Sequence, residues 1–202
     1  MKRPKGGRPT RSLGREEVRR IVRVHSEGTV TELGYLRHIA RGNTKVTLTF
    51  GPGGMVPLSL VDRARADIRE RRRRNAVLEF DEIWVVFDID KHPNVKQARV
   101  EAQQNSIQTA ISNPCFELWL LLHVEEHNRA IDRRAAQSRA RNLGLIDKKS
   151  IALSAWPSLD QSYKIARTRA IKLDQRHEGD GSPRFSNPSS SVWRLVDSLS
   201  RE

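Results

Sequence analysis

Asp88 and Asp90 end the run Asp81-Glu82-Ile83-Trp84-Val85-Val86-Phe87-Asp88-Ile89-Asp90. A short, continuous run of β-branched and aromatic residues reads as a strand buried on both faces, the kind found in parallel sheets. Ligands of such sheets bind just beyond the carboxyl ends of the strands, which is where these two aspartates fall. Residues at i and i+2 of a strand point the same way. Two carboxylates side by side raise each other's pKa unless a cation lies between them. A hard divalent ion on oxygen ligands, Mg2+ or Mn2+, answers that need. The competing reading is a solvated acidic turn after a core strand.

Three further residues extend the chemistry. Glu27 follows the apolar stretch Ile21-Val22-Arg23-Val24-His25 and precedes Gly28, so a tight turn leaves it projecting at a second strand end. Glu117 lies inside Phe116-Glu117-Leu118-Trp119-Leu120-Leu121-Leu122, where a carboxylate must be paired, neutral or liganded. His123 closes that run, either as a satisfied core histidine or as a catalytic one.

The elements that position these residues follow from periodicity. Strands are expected at residues 19–25, 44–50 and 106–112 and in the run from Asp81 to Asp90. Helices are expected from Glu32 with a threonine cap, from Pro57 to about Val77, and from Pro93 through Gln103. Asn113-Pro114 reads as the cap and first turn of the apolar helix, and Asn187-Pro188-Ser189-Ser190 as the cap of a final helix through Leu199. Between them lie two basic helices, around Leu143-Gly144-Leu145 and Trp156-Pro157. The βαβαβαβ alternation predicts an α/β fold with a parallel four-stranded sheet and flanking helices. A doubly wound 2-1-3-4 order makes strands 1 and 3 neighbours and brings Glu27 to Asp88 and Asp90. Gly51-Pro52-Gly53-Gly54 lacks the Gly-Lys-Ser/Thr of a phosphate-binding P-loop and is a loop or a site of close backbone approach.

The 202 residues carry a net charge of +13, mostly through arginine. That excess points to phosphate, since the guanidinium fork binds phosphate oxygens bidentately. Arg71, Arg72, Arg73 and Arg74 end a helix in a density beyond what its dipole asks for, and Lys164 and Arg167 lie on a later one. These six are the candidate contacts to nucleic acid, RNA or DNA; the competing reading is a solvated helix surface. No apolar run reaches the ~20 residues of a membrane span, and no secretory signal is evident, so a cytoplasmic protein is expected. The single cysteine, Cys115, excludes an internal disulfide and reads as a small buried hydrophobe. Residues 1–17 form a basic, Gly- and Pro-rich flexible arm, 18–125 the α/β core, and 126–202 a helical extension packed on it.

Glu27-Gly28-x-x-Thr31-Glu32, Phe87-Asp88-x-Asp90, Asn113-Pro114-x-Phe116-Glu117-Leu118-Trp119 and Asn187-Pro188-Ser189-Ser190 together resemble the RloB-like family over roughly residues 20–200. The resemblance implies a Toprim-like fold and a bacterial phage-defence or restriction-modification setting. It also implies a partner ATPase and an acidic site in which Glu27, Asp88 and Asp90 bind Mg2+ for phosphodiester chemistry. Where Toprim motifs carry a further aspartate this chain has His92, which leaves Glu117 as the substitute. The expected function is a Mg2+-dependent nuclease, with Glu27, Asp88, Asp90, Glu117 and His123 as catalytic candidates. The alternative is a nucleic-acid-binding or partner-regulated module whose acidic site is degenerate.

Overall fold

A computed structural model describes residues 19–73, 79–89 and 92–201. The expected N-terminal arm, Arg74 and Asp90 lie outside the described residues.

β1 (Arg20–Ser26), α1 (Thr31–Arg41), β2 (Val46–Phe50), α2 (Pro57–Arg71), β3 (Glu82–Asp88), α3 (Val95–Gln104) and β4 (Gln108–Asn113) alternate as expected. The strands stand in the order β2-β1-β3-β4, all parallel, with Ser26 level with Val86 and Asp88 level with Ser112. The sheet has five strands rather than four, because β7 (Ser189–Ser190) pairs antiparallel with Ser112 and Asn113. Two consecutive serines carry no alternating apolar pattern, so nothing in their sequence marks them as a strand. They were expected to cap the last helix; instead α7 (Val192–Ser200) begins after Ser191, whose hydroxyl accepts from the Ile111 amide.

β3 shows how the two layers divide. Ile83, Val85 and Phe87 face one side and pack with Leu60, Val61 and Ala64 of α2 and Val95, Ala98 and Ala102 of α3. Trp84 and Val86 face the other, with Val22, Val24, Tyr35 and Leu36. By the same alternation Asp88 belongs to this second face. There lie α4 (Glu117–Val124), α5 (Arg133–Asn142), α6 (Trp156–Gly179) and α7, together with a β5–β6 hairpin at Ile146–Asp147 and Ser150–Ile151. The elements after residue 126 therefore share one apolar core with the sheet.

α4 is buried at every residue from Glu117 to His123, which its apolar composition on all sides requires. It starts three residues later than expected. Asn113 remains the last residue of β4, and its side chain donates to the Phe185 carbonyl instead of capping a helix. Thr31 is likewise no cap: it sits inside α1 and its hydroxyl donates to the Lys149 carbonyl.

Candidate acidic site at the carboxyl ends of the strands

Parallel pairing of β1 with β3 sets Glu27 beside Asp88. The Glu27 amide donates to the Val86 carbonyl at 2.9 Å, extending the ladder by one residue. Its carboxylate turns back to accept from the Asp88 amide at 3.3 Å and lies 3.1 Å from His92 Nε2. Asp88 is buried, and Arg133 Nη2 donates to its Oδ2 at 2.6 Å. Gln137, one turn beyond Arg133 on α5, donates to Glu117 Oε1 at 3.3 Å. One face of α5 thus reaches two of the acids, as residues four apart on a helix do.

A fourth carboxylate joins them. Glu32, in the first turn of α1, lies directly over Gly28, where any Cβ would overlap its carboxyl group. Gly28 thus leaves room for the Glu32 carboxyl group as it is placed here. Burial is the largest cause pushing Glu32 up to about 7, with Glu117 and Glu27 adding to it against its own backbone N–H and Arg133. Asp88 is held well above the usual carboxylate range by burial first, then by Glu32, Glu27 and Glu117, with Arg133 opposing. Cys115 is buried beside the same acids; burial, then Glu117 and Asp88, raise its thiol far above the ordinary value, so it is no nucleophile.

Four carboxylates from β1, α1, β3 and α4 thus act on one another at one edge, with Arg133 as the opposing guanidinium. Their oxygens are the donor set of a hard divalent cation. Among the described residues, however, no three His, Cys, Asp or Glu side chains form a group that holds a metal ion. Asp90, the remaining ligand expected from sequence, lies outside them.

The other candidate residues fall elsewhere. His123 is in the core: Tyr35 Oη lies 3.2 Å from its Nε2, Ser162 Oγ lies 2.9 Å from its Nδ1, and Trp119 packs edge-on against its ring. Burial lowers it to about 4, so it stays neutral in the interior. Arg71 stacks on Phe80 at 4.9 Å, Arg73 pairs with Glu70 at 2.7 Å, and Arg72 is exposed at the helix end. Arg167 pairs with Asp197 at 2.9 Å, while Lys164 is exposed.

The Gly-rich loop approaches its own strand. Gly51 N donates to Val24 O at 2.9 Å, Gly54 N to Ser26 O at 3.1 Å, and a Cβ on Gly51 would overlap the His25 ring. His25 in turn lies 2.9 Å from Asp67, which also accepts from Arg23 at 2.9 Å.

Glu32, Arg133 and Gln137 are the site members that sequence reasoning missed. Glu32 had a signal in its sequence, a carboxylate one helical turn past a glycine. Arg133 and Gln137 had none, since they sit in a polar helix among many cations. No helix among the described residues is long and apolar enough to cross a membrane. Compared with known proteins, residues 22–199 match the family described as RloB-like protein. No curated protein and no solved structure matches the chain.

Proposed function

The chain belongs to the RloB-like family, and from that premise we propose that it is a metal-dependent nuclease of Toprim-like type, cleaving RNA or DNA in anti-phage defence. The observation that carries this reading is the gathering of Glu27, Glu32, Asp88 and Glu117 at the carboxyl ends of β1 and β3, where burial first, and then neighbouring carboxylates, raise Glu32 and Asp88. Four carboxylates around one guanidinium in an α/β crevice are a place that favours added positive charge. Glu27 and Asp88, with Asp90, would hold Mg2+ or Mn2+. The ion supplies polarisation of the scissile phosphate and neutralises charge developing on it. Arg133 would bind a non-bridging phosphate oxygen, exchanging Asp88 for it. Glu32 would take the proton of the attacking water, and His92, against Glu27, would hold that carboxylate in place.

The test uses wild type and Glu27→Gln against tRNA, single-stranded DNA and plasmid, with Mg2+, Mn2+ or EDTA. Cleavage should require the ion and fall by at least ~100-fold in the variant. Mg2+ or Mn2+ should also raise the Tm of wild type but not of Asp88→Ala/Asp90→Ala, since an ion bound to the native state alone stabilises it. Equal shifts in both proteins, or cleavage in EDTA, sink the reading. The second reading, a binding module with a degenerate site, is favoured by one observation. Arg133 already neutralises Asp88, and no three donors among the described residues form a metal-holding group. It predicts no Tm shift with either ion.

A further inference from the structure

β4 is the strand whose outer edge is only half covered. β7 pairs with Ser112 and Asn113 alone, which leaves the Gln108 end beside a groove of about 660 Å³ between α3 and the segment that carries Arg184 and Arg194. Among the described residues four cations line this groove, Lys96, Arg99, Arg184 and Arg194, and no carboxylate does. Elsewhere several guanidiniums are compensated where they lie. Arg20, Arg23, Arg65, Arg73, Arg133, Arg139, Arg167 and Arg176 are each paired with an acid. None of the groove cations makes an ion pair among the described residues.

Two of the four are held together against their own repulsion. The guanidiniums of Arg99 and Arg184 lie on one ring, that of Phe185, at 4.5 and 5.0 Å from its centroid. Phe185 is buried, and its backbone has the left-handed φ of +67° that a bulky residue rarely adopts. Burial, and then the charge of Arg184, lower the Arg99 pKa. One aromatic ring thus holds two like charges in its vicinity, a pre-organised partner for a polyanion. Arg194 stacks in the same way on Trp193 at 4.8 Å. Asp174, in the adjoining cavity of about 370 Å³, feels Arg184 and Arg194 but pairs with neither.

Two groove residues, Phe185 and Lys96, have neighbours near the carboxyl ends of the strands. Asn113 at the end of β4 donates to the Phe185 carbonyl at 2.8 Å. Lys96 lies in the first turn of α3, four residues after the His92 that faces Glu27. We propose that this groove, rather than the Arg71–Arg73 helix end or Lys164 and Arg167, is the track along which the phosphodiester backbone of a nucleic acid reaches the carboxylate site. The inference rests on the nuclease reading for its direction, but the binding it asserts does not depend on catalysis.

Binding is therefore measured in EDTA, by fluorescence anisotropy with a labelled 20-nucleotide single strand and the matching duplex, across a salt series. Arg99→Gln/Arg184→Gln/Arg194→Gln should weaken both at least ~10-fold. It should also reduce the slope of log K against log salt by about 0.7–0.9 per lost contact. Arg184→Gln/Arg194→Gln changes only exposed side chains and should show the same effect in smaller measure, whatever the fate of the half-buried Arg99. Arg71→Gln/Arg72→Gln/Arg73→Gln should bind as wild type does. An unchanged slope in both groove variants overturns the proposal, as does an equal loss in the helix-end variant or equal affinity for polyglutamate. Binding that depends on the groove in a protein that cleaves nothing would refute the catalytic reading and leave the groove standing.

Discussion

Both faces of one sheet hold ionisable groups, and the two faces treat them in opposite ways. On the α2 face Asp67 is surrounded by opposite charge and donors. Arg23 and His25 lie at 2.9 Å and Arg63 at 3.5 Å, while the second His25 ring nitrogen is 3.1 Å from the Pro52 carbonyl. One carboxylate meets two guanidiniums and an imidazole, and the network pins the Gly51–Gly54 loop to the strand. On the α1–α4 face four carboxylates meet one guanidinium, that of Arg133, and two of them sit far above their ordinary range. A charge buried for structure is compensated where it lies. A charge left uncompensated costs stability, and it persists where a ligand supplies the missing sign.

The comparison breaks most easily at Asp67. Asp67→Ala leaves Arg23 and the fully buried His25 facing each other without their common acceptor. Losing one member of a buried ionic network costs about 3–5 kcal/mol. Chemical denaturation should show that loss with an unchanged m-value. A loss below about 1 kcal/mol would mean the network is slack and the contrast between the faces is false.

Much of this contrast was legible in sequence. The Ile83–Phe87 run announced a strand buried on both sides, with Asp88 at its carboxyl end. The βα alternation gave the α/β class, and a 2-1-3-4 order, which such a fold allows and the sheet has, brings Glu27 to Asp88. What stayed hidden depends on groups far apart in the chain. Arg133 and Gln137 belong to a helix that reads as plain solvated surface until α4 and α5 are docked. Ser189 and Ser190 become a strand only because β4 offers them an edge. The four consecutive arginines drew the eye as a phosphate site, yet Arg71 and Arg73 each have an intramolecular partner. Arg99, Arg184 and Arg194, which rest on aromatic rings and make no ion pair among the described residues, lie 85 and 10 residues apart in sequence and are united by a groove.

A second test sharpens the rule that structural sites are compensated. His123 is satisfied as a neutral ring by Tyr35 and Ser162, and burial holds it at about 4 against an ordinary 6.5. Its folded value is depressed, so the native state binds fewer protons than the unfolded one between these limits. Its contribution is whole above pH 6.5, erodes as pH falls, and is gone at about pH 4. A shift of that size is on the order of 3 kcal/mol. His123→Asn, which keeps a polar amide but cannot titrate, should flatten the fall in stability between pH 7 and 4 relative to wild type. Parallel pH curves for the two proteins would show that His123 is already charged in the core.

Glu32 should behave in the opposite sense, and its effect should be the smallest. Its folded value of about 7 lies above the ordinary 4.5, so the native state binds more protons than the unfolded one across that window. Stability therefore falls as pH rises from 4.5 to 7 and stays reduced above it. Glu32→Gln removes the charge while keeping the shape over Gly28. Below pH 4.5 the variant should match wild type; at pH 8 it should be more stable. Because a buried amide still loses water, the gain should be only about 1 kcal/mol, less than the full pKa shift corresponds to. If Mg2+ binds the cluster, it should stabilise wild type at pH 8 more than the variant and so narrow the gap. A variant less stable than wild type at every pH would place Glu32 with Asp67, as a compensated structural acid. The acidic edge would then lose its claim to be a site at all.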